Sequence, residues 1–164
     1  MRKGIEMDSI MENPGMAVAE EIARQTLTRE GPVVVVDDDI SDAMFAEEVV
    51  DDLQPKFPVQ ILTSGEDLIT YLQGENLYRD RSLYPYPGLV LLDLLMPKMD
   101  GYAVLQWIMD HPQYADVPVV VLSGGVGMAG QVTKACQLGA RTFLPKPVQS
   151  QDIQSIVSLL KISI

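Results

Sequence analysis

From residue 33 onward the chain alternates short, almost wholly apolar runs with longer segments in which apolar residues recur every three or four positions. The runs VVVV at 33–36, VQILT at 59–63, LVLLD at 89–93, VPVVVL at 117–122 and RTFL at 141–144 predict five strands, β1 to β5. Between them the helical spacing predicts α1 around Ala46, Val49, Val50 and Leu53, α2 over 66–72, α3 over 102–109 and α4 over 128–138. A last helix, α5, carries Ile153, Ile156, Val157 and Leu160 on one face.

Several of these strands are apolar at nearly every position instead of alternating. A strand reads so when both its faces are covered, as in a parallel sheet with helices on each side. Five β-α units in succession therefore predict a doubly wound α/β fold. Residues 1–31 fall outside the pattern. They hold four methionines, several charges and Asn13-Pro14-Gly15, with a short helical spacing from Met16 to Leu27 that Gly31-Pro32 breaks. The expected division is an N-terminal arm over 1–31, partly disordered or one helix, and a single domain over 32–164. The connection GENLYRDRSLYPYP at 74–87 is long for a compact domain, and its tyrosines and arginines are candidates for a partner contact.

Composition narrows the function. Apolar residues make up 47% of the chain and charged ones 21%, as in globular proteins. Acidic residues outnumber basic ones 23 to 12, for a net charge of −11, which argues against nucleic acid and anionic membranes as partners. No apolar run approaches the roughly 18 residues of a membrane span. The N-terminal residues lack the apolar segment of a signal peptide, and Cys136 is the only cysteine. Both features lead to the expectation of a cytoplasmic protein.

In open α/β sheets the reactive crevice lies beyond the carboxyl ends of the strands. There the sequence places Asp37-Asp38-Asp39 after the first strand, Asp93 at the end of the third, Ser123 after the fourth and Lys146 after the fifth. Clustered carboxylates repel one another unless a cation compensates, and an all-oxygen site suits Mg²⁺. A lysine and a hydroxyl alongside would cradle a phosphoryl group, with a carboxylate as its acceptor. Each residue also has a plainer reading: the aspartates after β1 could cap α1, and Lys146 between two prolines could be a surface residue.

VVVVDDD, LVLLDLLMPKMDGYAVL, VPVVVLSG and FLPKP together closely resemble the receiver domain of two-component response regulators, over residues 33 to about 160. The resemblance implies a flavodoxin-like sheet of order 2-1-3-4-5. It implies Asp93 as phosphoacceptor, Asp38 as a direct Mg²⁺ ligand and Asp37 as one acting mainly through water. The backbone carbonyl of Leu95 would be a further ligand, and Mn²⁺ could replace Mg²⁺. Ser123 and Lys146 match the residues that bind the phosphoryl group, with a cis bond expected at Lys146-Pro147. Asp100-Gly101 would turn the chain into α3 beside the site. The implied partners are a histidine kinase or phosphotransfer protein upstream, and a protein target or second copy on the α4–β5–α5 face. The segment before β3 and HPQYADVPVVVLS are similar to the small stand-alone regulators served by phytochrome-type kinases.

One motif points elsewhere. In LSGGVGMAG, Gly125, Gly127 and Gly130 have the spacing G-x-G-x-x-G of dinucleotide-binding turns. That fingerprint belongs in the first β-α turn, with an acid at the end of the next strand. Here it follows the fourth strand, and the corresponding place falls in α5. The glycines instead match a mobile β4–α4 loop, with Gly124 leaving room beside Ser123. Phe143 occupies the family's aromatic switch position without a tyrosine's hydroxyl. His111 reads as a surface turn, and Cys136 and Met128 as packing residues of α4.

Two other classes remain open. A phosphohydrolase of the haloacid-dehalogenase kind also uses a strand-end aspartate, but usually carries a second acid two residues on, where this chain has Leu95. A scaffold that ignores phosphorylation would bind its partner equally well as Asp93→Asn.

Overall fold

Val33–Val36 are four consecutive valines with no accessible surface. Along a strand successive side chains point to opposite faces. Val33 and Val35 join one apolar cluster and Val34 and Val36 the other. Burying each side chain contributes about 1.5–3 kcal/mol, and only a central strand covered on both sides can bury all four. The computed structural model describes residues 29–125 and 127–164 and bears this out.

The five strands of the main sheet are β1 (Val33–Val36), β2 (Gln60–Leu62), β3 (Leu89–Asp93), β4 (Val119–Ser123) and β5 (Thr142–Pro145). All pair in parallel, in the order β2-β1-β3-β4-β5. The helices are α1 (Ile40–Asp51), α2 (Gly65–Gln73), α3 (Gly101–Asp110), α4 (Met128–Gln137) and α5 (Ser150–Leu159). Ala43, Ala46 and Val50 of α1 and Ile153 and Ile156 of α5 cover one face. Leu68, Tyr71 and Leu72 of α2, Val104, Leu105 and Ile108 of α3 and Ala135 of α4 cover the other.

Local chemistry sets the helix starts. Asp39, Ser64 and Asp100 each accept a backbone N–H of the turn that follows, capping α1, α2 and α3. Gly74 ends α2 in the left-handed conformation. β4 starts two residues later than the apolar run suggests, because Pro118 has no N–H for the ladder, and it runs on to include Ser123, which pairs with Pro145.

Residues 1–28 lie outside the described part of the chain, and with them most of the expected arm. Its last residues do not hang free. Arg29–Glu30 form a short parallel pair with Ile162–Ser163. The Arg29 guanidinium donates to the carbonyls of Pro87 and Asp116, at 3.0 and 2.8 Å.

The 74–87 connection is packed onto its own domain. Tyr78 is buried against Tyr71 and Tyr84, with ring centroids 4.9 and 5.2 Å away. Arg81 donates to the carbonyls of Leu72 and Tyr84. Tyr78 and Tyr84 thus serve the core, whereas Leu77, Leu83 and Tyr86 are exposed. His111 is more than a turn residue: it stacks on Trp107 at 4.0 Å, and its Nδ1 lies 2.7 Å from the Trp107 carbonyl. Cys136, expected to pack, faces solvent, and Ala135 is the residue of α4 that turns inward.

Candidate phosphoryl and metal site

The strand register builds the site. Val36 pairs with Leu92, so Asp37 and Asp93, one step further on, lie side by side at the carboxyl edge. Asp93 pairs with Leu122, and Ser123 pairs with Pro145 just before Lys146. Adjacent strands are about 4.8 Å apart, so four neighbouring strand ends deliver their side chains to one small volume. Gly101 closes the floor: a Cβ there would stand 2.6 Å from the Asp93 carbonyl oxygen.

Asp37, Asp38 and Asp93 each offer a carboxylate oxygen, and these lie within 4.8 Å of one another. Asp37 is 1% exposed and Asp93 7%, whereas Asp38 faces solvent. Asp39, the third of the run, turns away to cap α1 through the N–H groups of Ser41 and Asp42. The capping reading therefore holds for one of the three aspartates.

Lys146 supplies positive charge. Its Nζ donates to Asp37 Oδ2 at 2.6 Å and lies 3.4 Å from Asp93 Oδ2. It also donates to Asp42 Oδ2 at 3.0 Å, a contact that sequence reading missed. Burial alone would lower the ammonium's pKa, but the bonds to Asp37 and Asp42 and the charge of Asp93 outweigh it and hold it above the usual lysine range. The Lys146-Pro147 bond is cis, as the resemblance implied.

Asp93 shares this charge and is itself buried. Burial raises its pKa and the charge of Asp37 adds to this, against the Leu95 N–H bond to Oδ1 at 3.2 Å and the pull of Lys146. The net shift is upward. One lysine thus faces Asp37, Asp42 and Asp93, with Asp38 close by. This excess of negative charge and a hard, all-oxygen donor set fit a divalent cation of the Mg²⁺ or Mn²⁺ kind.

Ser123 is buried, and its hydroxyl donates to Gln131 Oε1 at 3.1 Å. Gln131 is the second residue missed from sequence, since nothing in its spacing from Ser123 marks it. Gly125 and Gly127 have φ of 96° and 89°, the left-handed region that favours glycine. Gly124 is less demanding: a Cβ there would meet only Lys146 Cβ, at an ordinary 3.5 Å. Phe143 packs partly buried against the cluster beneath α2, α3 and α4.

A parallel five-stranded sheet with buried acids and a lysine at its carboxyl edge defines an open α/β fold with a candidate divalent-cation site, and comparison with known proteins identifies the family. The profile described as "Response regulator receiver domain" matches residues 33–158, and the chain belongs to that family.

Response regulator Rcp1 of Synechocystis is 30% identical over 125 residues, covering 76% of this chain and 82% of the relative. A probable transcriptional regulator, ycf27 of Cyanophora paradoxa, is 31% identical over 79% of this chain, which spans only 48% of that longer protein. Among solved structures, the bacteriophytochrome response regulator AtBRR superposes with a TM-score of 0.69 at 26% identity, over 84% of this chain and 95% of its own. The Mn²⁺-bound form of Rcp1 gives a TM-score of 0.62 at 28% identity, over 80% of this chain and 92% of its own. No helix among the described residues is long and apolar enough to cross a membrane.

Proposed function

We propose that this chain is a response regulator whose Asp93 accepts a phosphoryl group from the histidine of a kinase or phosphotransfer protein. The observation that carries the reading is the convergence of Asp37, Asp38 and Asp93 with the Lys146 ammonium at one sheet edge. A carboxylate oxygen of Asp93 attacks phosphorus, the histidine N–P bond breaks, and the departing imidazole takes up a proton. The product is an acyl phosphate on Asp93.

Asp37, Asp38 and Asp93, with the Leu95 carbonyl, would hold Mg²⁺. When bound, the ion neutralises charge on the phosphoryl oxygens. Lys146 and Ser123 supply an ammonium and a hydroxyl to the same oxygens. The Mn²⁺ bound by the relative Rcp1 supports the choice of cation. Ile40, Met44 and Phe45 are exposed apolar residues of α1, and Phe45 lines a pocket with Asp42 and Lys146 where a protein donor would dock. The phosphorylated state then biases the β4–α4 loop and the α4–β5–α5 face, with Phe143 as a moving part, toward a target or a second copy. In this reading the protein acts in the cytoplasm, where kinase domains and their phosphodonors reside.

A turnover enzyme is disfavoured. Position 95, where a phosphohydrolase carries its general acid, is an exposed leucine. The test is incubation with acetyl phosphate and Mg²⁺, followed by intact mass. One phosphoryl adduct, absent from Asp93→Asn and without Mg²⁺, supports the reading. Sustained phosphate release from small esters would replace it with the hydrolase. A scaffold is indicated if Asp93→Asn still engages the partner and carries its signal.

A further inference from the structure

Ser123 and Lys146 are both expected to bind the phosphoryl group, yet they start from different positions. Lys146 already lies against the Asp93 carboxylate. The Ser123 hydroxyl donates instead to the side-chain oxygen of Gln131, on the first turn of α4. A hydroxyl has one proton to donate. Donating it to Gln131 and donating it to a phosphoryl oxygen exclude each other.

α4 has little else to hold it. Of its ten residues Ala135 alone is buried, and no side chain caps its N-terminus, where Gly127 is the N-cap residue. Gln131 is also the residue to which α3 reaches: Tyr102 donates to its backbone carbonyl at 3.4 Å, and Lys134 lies 4.2 Å over the Tyr102 ring. A helix with few buried contacts opens at low cost, so one part-buried hydrogen bond is a large share of its attachment.

We propose that Gln131 is a positioning residue that latches the Ser123 hydroxyl to α4 before phosphorylation and frees the helix when the hydroxyl turns to the phosphoryl group. The inference rests on the function proposed above and adds to it the link through which the site reports to α4.

Two measurements on the full-length protein test it. The first needs no phosphoryl chemistry: hydrogen exchange of the α4 amides in wild type, Gln131→Met, Ser123→Ala and the double variant. Both single variants should speed exchange in the first turns of α4 by about fivefold, the net worth of one ordinary hydrogen bond, and the double variant should add nothing further. Unchanged exchange, or additive effects, would overturn the latch.

The second is the rate of Asp93 labelling by acetyl phosphate with Mg²⁺. Gln131→Met, which loses the acceptor, should label faster, and Gln131→Glu, whose charged acceptor grips the hydroxyl harder, should label slower. In the Ser123→Ala background each substitution should lose its effect. Labelling of Asp93 at equal rates in all three proteins would reject the latch and leave the proposed function standing. A wild type that does not label at all would overturn the function, and the latch's signalling role with it.

Discussion

The Lys146 ammonium donates to the Asp42 carboxylate at 3.0 Å, although Asp42 lies outside the acidic trio and its side chain is 52% exposed. Asp42 sits on the first turn of α1 and competes with the site for its one lysine. An exposed ion pair of this kind contributes at most about 1 kcal/mol. Asp42→Asn should therefore leave the urea midpoint nearly unchanged while speeding acetyl phosphate labelling of Asp93 by up to about fivefold. A loss of labelling would instead make Asp42 part of the reacting site.

Divalent cations should stabilise the fold in proportion to occupancy. At a Mg²⁺ concentration 100 times its dissociation constant the gain is about 2.7 kcal/mol, visible as a raised thermal midpoint that chelation reverses. Asp38→Asn should abolish most of this gain without altering the metal-free midpoint, since Asp38 faces solvent.

The elevated pKa of Asp93 gives a pH dependence with a definite sign. A folded-state pKa above the ordinary 3.8 means that the native state binds the proton more tightly than the unfolded chain. The contribution is fully present below the unfolded value and is lost as pH rises through the folded one. In metal-free buffer at neutral pH, Asp93→Asn should therefore unfold at higher urea than wild type, and the difference should shrink as pH falls toward the carboxylate range. With saturating Mg²⁺ the order should reverse, because the wild type alone retains the full ligand set.

Gly101 is where a single methyl group would reach the acceptor's own backbone. Its Cβ would meet the Asp93 carbonyl oxygen at 2.6 Å and Leu94 Cα at 2.8 Å, and neither is a flexible side-chain end. Overpacking of this kind costs about 1–3 kcal/mol. Gly101→Ala should lower the urea midpoint accordingly and weaken Mg²⁺ binding, as read by titration.

Tyr71 marks how firmly the long connection is attached. Burial pushes its hydroxyl pKa from 10.0 to about 12, and the hydroxyl donates to the Pro85 carbonyl at 2.8 Å. Because the folded value is raised, this stability is complete below pH 10 and disappears as pH climbs through 12. Tyr71→Phe should cost about 1 kcal/mol at neutral pH and should flatten the alkaline limb of the stability profile. Absorbance titration should show one tyrosine fewer ionising late.

Much of the architecture was legible because its signals are local. An unbroken run such as VVVV can bury every side chain only in a central parallel strand, and LVLLD and VPVVVL carry the same message. The carboxyl-end aspartates, serine and lysine were legible for the same reason, since a strand's direction decides which end its last residue occupies. Cys136 was misjudged because helical spacing marks a stripe without saying how far a short helix tilts from the sheet, and it is Ala135 that reaches the core.

Pattern and strand direction alone therefore specified the layered fold and the edge where Asp37, Asp93, Ser123 and Lys146 gather. Tertiary packing decided what each of them touches. Asp42 and Gln131 reach Lys146 and Ser123 across 104 and 8 positions of chain, and whether such side chains meet depends on helix placement to within an ångström or so. Periodicity reports which face is apolar. It carries no information at that distance scale.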